Sequence, residues 1–220
     1  MDLHNLISHL NYTEENSVRI VAGSLGCAIL WSYAELFTPK VWGHMVWVDQ
    51  APMQNYALDG TWGADMANRG MNCEDAVRLL FSDFAAEPDR VHRGTIAACL
   101  SYRSHPLPTD KITRAQFEED ESFFLEQARR GDPTWYAQLM KDHTSLDWRD
   151  VLKTCFGGKK VLVVASSRSG CFPAKGVLEA TRLVNQGGGE AEGVEVEWGG
   201  HWCYWEDPER FWGIVMLYLQ

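Results

Sequence analysis

The run Val18-Arg19-Ile20-Val21-Ala22-Gly23-Ser24-Leu25-Gly26-Cys27 constrains the fold of this chain more than any other segment. A short apolar stretch leads into a tight turn of small residues with one serine at its apex, and a helical pattern over 26–37 follows. The pattern is small-x-Ser-x-Gly, with Ala22 where glycine is more usual. Ala22, Gly23 and Gly26 are small because such a turn is strained and brings the helix close to the strand. A serine held there is lifted out of the sheet, above a helix N-terminus.

A second element near the other end matches the first. Val194-Glu195-Val196-Glu197-Trp198-Gly199-Gly200-His201-Trp202 reads as an alternating strand that runs into two glycines and a histidine. Asp207-Pro208-Glu209 then opens a terminal helix over 208–219, with Asp207 as N-cap and Pro208 at the first helical position. A histidine on a Gly-Gly loop is expected to be mobile enough to reach a serine on a neighbouring strand end.

With these two motifs, in the order Ser, acid, His, the chain resembles an α/β-hydrolase of the haloperoxidase and esterase-like branch. The resemblance is strong over residues 17–50 and 160–219 and weak between them. It implies an α/β fold, a mostly parallel sheet flanked by helices, with a helical lid inserted over the active site. Residues 1–52 are expected to form the first part of the core, 53–150 the lid and 151–220 the second part of the core.

The local patterns agree. A helix over 3–10, with Leu3, Leu6, Ile7 and Leu10 toward the core, precedes a strand over 17–22. After Pro39, residues 41–48 read as a second strand, parallel to the first. Between 53 and 150 there is no strand signal, and helices are expected at 74–85, 91–102 and 113–130, the last opened by a Thr113/Gln116 capping box. The apolar run 160–165 is a buried parallel strand, followed by a helix over 174–185 and a strand over 193–198.

One departure from the resembled family stands out. That family places several strands and a glycine loop before the serine strand, and this chain opens on the helix immediately ahead of it. The first half of the sheet, and the loop with the second oxyanion donor, are expected to be missing. Either the sequence is truncated, or it is a shortened relative whose exposed sheet edge is covered by a partner or a second copy.

The resemblance assigns Ser24 as nucleophile and His201 as base, with the backbone N–H of Leu25 stabilising an oxyanion. The acid usually follows the strand after the lid, but Ser166-Ser167-Arg168-Ser169-Gly170-Cys171-Phe172-Pro173 holds no carboxylate there. Asp49, at the end of the strand after the serine helix, is the alternative, because adjacent strand ends lie about 5 Å apart. Each residue also has an ordinary reading. Ser24 would cap helix 26–37, His201 would be a loop histidine, and Asp49 would start a turn before Pro52. His44 and His143 read as surface or core histidines, and Trp47, Trp62, Trp135 and Trp202 as core or acyl-pocket aromatics. The run Glu118-Glu119-Asp120-Glu121 reads as a solvated helix face.

Composition narrows the partners. A formal charge of −10 disfavours nucleic acid and anionic membranes, both of which require clustered Lys and Arg. No signal peptide or transmembrane span is legible. The six cysteines are scattered and form no CxxC, which suits reduced thiols in a cytoplasmic protein. His201 and Cys203 lack a second ligand pair, so neither a metal nor a cofactor is expected. The expected function is hydrolysis, or perhydrolysis, of a small or medium carboxylic ester. The alternative is a non-catalytic binding or scaffolding module, or an inactive fragment, on the same fold.

Overall fold

The computed structural model describes residues 2–57, 60–101 and 114–220, with the side chains of 114–117 excepted. Its centre is a four-stranded parallel sheet in the order β1-β2-β3-β4, formed by Val18–Gly23, Trp42–Val48, Lys160–Ser166 and Glu190–Val196. Helix α1 (Asp2–His9) precedes β1, α2 (Leu25–Phe37) links β1 to β2, and α8 (Ala174–Gln186) links β3 to β4. Between β2 and β3 lie α3 (Glu74–Ala86), α4 (Pro88–Cys99), α5 (Arg114–Ala128), α6 (Pro133–Ser145) and α7 (Arg149–Cys155). After β4 come the short α9 (Cys203–Glu206) and the terminal α10 (Pro208–Leu219).

The central strands are apolar on both faces because both faces are covered. Met45 and Trp47 of β2, with Val161, Val163 and Ala165 of β3, face a core that includes residues of α1, α2, α7 and α8. The alternate residues Val46, Val48, Leu162 and Val164 pack against Phe211, Val215 and Leu219 of α10. The edge strand β1 is less covered, with Arg19 and Val21 exposed.

The structure shifts several expected elements. β4 starts at Glu190, three residues before the expected 193, because Asn185 holds both backbone groups of Ala191 at 2.9 and 2.6 Å. Helix α4 starts at Pro88, which the first helical position tolerates, and ends at Cys99, short of the expected 102. Helices α6 and α7 were not expected. Asp132 caps α6 through Thr134 and Trp135 N–H at 2.8 and 3.2 Å, ahead of Pro133, a signal plain in the sequence.

Helix α7 packs against α2 and α8, so a segment that opens inside the expected lid lies against the sheet's helical layer. The expected Thr113 cap lies outside the described residues. On α1, Ile7 is buried and Leu3 packs on the core, whereas Leu6, and Leu10 just after the helix, are exposed. Trp47 and Trp62 are core, Trp202 packs on Phe124, and Trp135 is exposed. The acidic run is only partly solvated. Asp120 is buried and accepts from Trp205 Nε1 at 3.3 Å, and Glu121 pairs with Arg93. Helix amphipathicity alone does not reveal such polar pairing. No helix among the described residues is long and apolar enough to cross a membrane.

Candidate active site

The site gathers at the C-terminal ends of the four strands. Ser24 occupies the single residue between β1 and α2, with φ 50° and ψ −122°. This is a left-handed conformation that a non-glycine residue adopts at a cost of about 1–3 kcal/mol. Its N–H donates to Val48 O at 2.9 Å, which continues the β1–β2 ladder into the turn. Its hydroxyl makes no capping bond to α2, so the ordinary role of a helix-capping serine is not the one seen. The small neighbours have spatial reasons. A Cβ on Gly26 would touch the Ala22 methyl at 3.6 Å, and one on Gly23 would meet the Tyr204 ring at 3.4 Å. Leu25 opens α2, where the first N–H groups of a helix have no intrahelical acceptor.

Asp49 follows β2 directly, also at positive φ (47°), and is fully buried. Its N–H donates to Val164 O at 2.8 Å, which turns the carboxylate across the end of β3. Oδ1 accepts from Ser166 N–H at 3.1 Å. Oδ2 accepts from Ser169 Oγ at 2.6 Å and faces His201 Nδ1 at 2.7 Å. Ser169 Oγ in turn accepts from the N–H groups of Cys171 and Phe172, both at 3.1 Å. The loop without a carboxylate therefore supplies hydrogen-bond donors to a carboxylate that arrives from the adjacent strand.

His201 lies in the β4–α9 loop, which is clamped and not loose. Gly200 N–H donates to Glu206 Oε1 at 2.7 Å, and the same carboxylate accepts from Ser101 N–H at 3.0 Å and from Ser101 Oγ. Trp202 N–H donates to Cys99 O at 3.0 Å. A Cβ on Gly200 would lie 2.6 Å from Ser101 N and 2.9 Å from Cys99 O. The expectation that the glycines confer mobility is corrected: Gly200 is there because the end of α4 leaves no room for a side chain.

Burial opposes protonation of His201, whereas the Cys171 sulfur and the hydrogen bond and charge of Asp49 favour it; the net shift is upward. Burial, and after it the interaction with His201, lower His143, near the end of α6, to about 4. His44 lies apart from the site, with Nδ1 3.2 Å from Tyr218 O. Burial raises the thiols of Cys27 and Cys203 to about 12, which makes both poor nucleophiles.

The structure thus brings Asp49 and His201 into direct contact and sets Ser24 on the strand next to Asp49. It places no hydrogen bond between Ser24 Oγ and His201 among the described residues. Sequence reasoning missed Ser169, Ser166 and Glu206. The serines stood in the very loop noted for lacking an acid, but nothing in their spacing shows that they face Asp49.

No protein-family model matches the chain, and no curated protein does. Solved structures do. An esterase from Exiguobacterium antarcticum superposes with a TM-score of 0.78 at 16% identity, over 99% of this chain and 70% of that one. A bromoperoxidase from Bacillus anthracis gives 0.78 at 13% identity, over 99% and 71%. A thermophilic esterase from Thermogutta terrifontis gives 0.68 at 16%, over 99% and 69%. The chain has the α/β-hydrolase fold.

Proposed function

We propose that this chain is a serine hydrolase that cleaves a small or medium carboxylic ester. The observation that carries the reading is the strained, uncapped Ser24 at a strand–helix turn, next to a buried Asp49–His201 pair. In this reading Ser24 Oγ attacks the ester carbonyl while His201 Nε2 takes its proton. Asp49 fixes the imidazole through Nδ1 and stabilises the imidazolium that forms. The Leu25 N–H, at the start of α2, receives the developing oxyanion. His201 returns the proton to the leaving alcohol, and water attack on the acyl-enzyme regenerates Ser24. Ser24 and His201 must draw together as substrate binds, because catalytic hydrogen bonds are often long in free enzymes.

Helices α3 to α6 would act as the lid, since the end of α4 touches the loops after β3 and β4 through Ala98 O and Cys99 O. Six free thiols fit a reducing, cytoplasmic setting. A partner or second copy along the outer edge of β1 belongs to the same reading. The likeness to a bromoperoxidase keeps perhydrolysis open, with peroxide in place of water at the acyl-enzyme.

A second reading, a binding module on this fold, is favoured by the missing Ser24–His201 hydrogen bond. Turnover of p-nitrophenyl acetate and butyrate separates the two. The hydrolase reading expects ester cleavage that falls about 10⁴-fold or more in Ser24→Ala. Ester cleavage unchanged in that variant, or none at all from folded protein, would favour the module.

A further inference from the structure

Two thiols that the proposed hydrolysis does not use lie beside His201. Cys99 closes α4 and Cys171 sits in the β3–α8 loop, and their Sγ atoms are 3.8 Å apart. Both sulfurs and a ring nitrogen of His201 lie within 4.8 Å of one another. Cys99 and His201 are buried and Cys171 is half-buried. The sequence pairs His201 only with Cys203; the fold instead brings together one residue from each of three segments.

This is the geometry of a transition-metal site. Two sulfurs bound to one tetrahedral zinc at about 2.3 Å stand about 3.8 Å apart, the separation already present here. What remains is for the imidazole, within 4.8 Å of both sulfurs, to close on the metal at a zinc–nitrogen bond of about 2.0–2.1 Å. A metal-binding histidine ordinarily directs its other nitrogen at a carboxylate, and Nδ1 of His201 already faces Asp49 at 2.7 Å.

We propose that Cys99, Cys171 and His201 form a binding site for a soft divalent metal ion, zinc above all, which takes Nε2 of His201 and so withdraws the base from hydrolysis. The last clause rests on the serine-hydrolase reading; the site itself does not. On binding, the two S–H bonds break and the Nε2–H bond of the protonated imidazole breaks with them, the three protons pass to solvent, and two S–Zn bonds and one N–Zn bond form without change of oxidation state. One Zn²⁺ with two thiolates and a neutral imidazole carries no net charge, so a buried position does not strand an unpaired ion. The fourth position is left for water. Harder ions such as Mg²⁺ and Ca²⁺ prefer oxygen donors and are excluded by the two sulfurs.

The test is a Co²⁺ titration of the whole chain, stripped of metal and kept reduced with a phosphine, followed by displacement with Zn²⁺. The expected result is one equivalent bound with a thiolate-to-cobalt charge-transfer band in the near ultraviolet. That band should be lost in Cys99→Ser and in Cys171→Ser, each checked for folding by circular dichroism. Asp49→Asn should weaken binding about 10–100-fold through the lost support of His201. Ester turnover should fall at least about ten-fold with zinc and recover with EDTA, and should lose its zinc sensitivity in the cysteine variants.

No charge-transfer band, or a band and zinc inhibition that persist in the Cys99→Ser/Cys171→Ser double variant, would overturn the proposal. So would a Cys99–Cys171 disulfide that forms in place of metal binding. A normal cobalt band on a protein without ester turnover would uphold the site and reject the hydrolase reading instead.

Discussion

At the residue scale, few atoms hold Asp49 in place. Its carboxylate is fully buried and accepts from Ser166 N–H and Ser169 Oγ as well as facing His201. A hydrogen bond to a charged group contributes about 1.5–3 kcal/mol, and its loss leaves buried polar atoms unpaired. Ser169→Ala should therefore destabilise the fold by about 1–3 kcal/mol in urea unfolding and lower kcat, because Asp49 loses a donor and the N–H groups of Cys171 and Phe172 lose their acceptor. A Ser169→Ala protein with unchanged unfolding midpoint and kcat would show that this serine does not support the acid. Asp49→Asn should reduce kcat by about 10²–10⁴-fold, with Ser24 still present to give residual turnover.

At the element scale, the strands were legible because buried parallel strands have long apolar runs, such as Val161 to Ala165. The Ser24 turn was legible for another reason: small residues at 22, 23 and 26 mark where helix and strand must nearly touch. What escaped reading was contact made at a distance in sequence. Gly200 looked like a hinge, yet its role depends on the backbone of Cys99 and Ser101, about a hundred residues away. Glu206 was unremarkable in sequence, although in the fold it ties the histidine loop to the end of α4. Gly200→Ala should therefore be costly, since the added methyl would lie 2.6 Å from Ser101 N. The expected loss is about 1–3 kcal/mol of stability in urea unfolding, with a lower kcat as the histidine loop shifts. A true hinge would instead tolerate alanine with stability nearly unchanged.

At the scale of the whole molecule, the fold supplies an acid-sensitive group outside the proposed triad. Burial and the nearby His201 lower the His143 imidazole to about 4. An unfolded histidine titrates near 6.5, so the unfolded chain binds this proton first as pH falls. The contribution to stability is therefore complete above about pH 6.5 and is lost as pH falls toward and through about 4. Urea midpoints measured from pH 7 to 4 should fall more steeply for the wild type than for His143→Gln; parallel profiles would contradict this.

The same scale shows what the sequence conveyed about the site. Ser24, Asp49 and His201 come together because they follow β1, β2 and β4, whose C-terminal ends lie at the same end of a parallel sheet. No sequence pattern encodes whether Ser24 Oγ meets His201, and the described residues show no hydrogen bond between the two. Activation of Ser24 is therefore what must be measured. The direct measurement is labelling of the folded, reduced and metal-free chain with a fluorophosphonate, with the adduct located by mass spectrometry. The expected result is a single adduct on Ser24, absent from Ser24→Ala and strongly reduced in His201→Ala. No adduct on folded protein, or one on Ser24 that forms equally fast in His201→Ala, would contradict it.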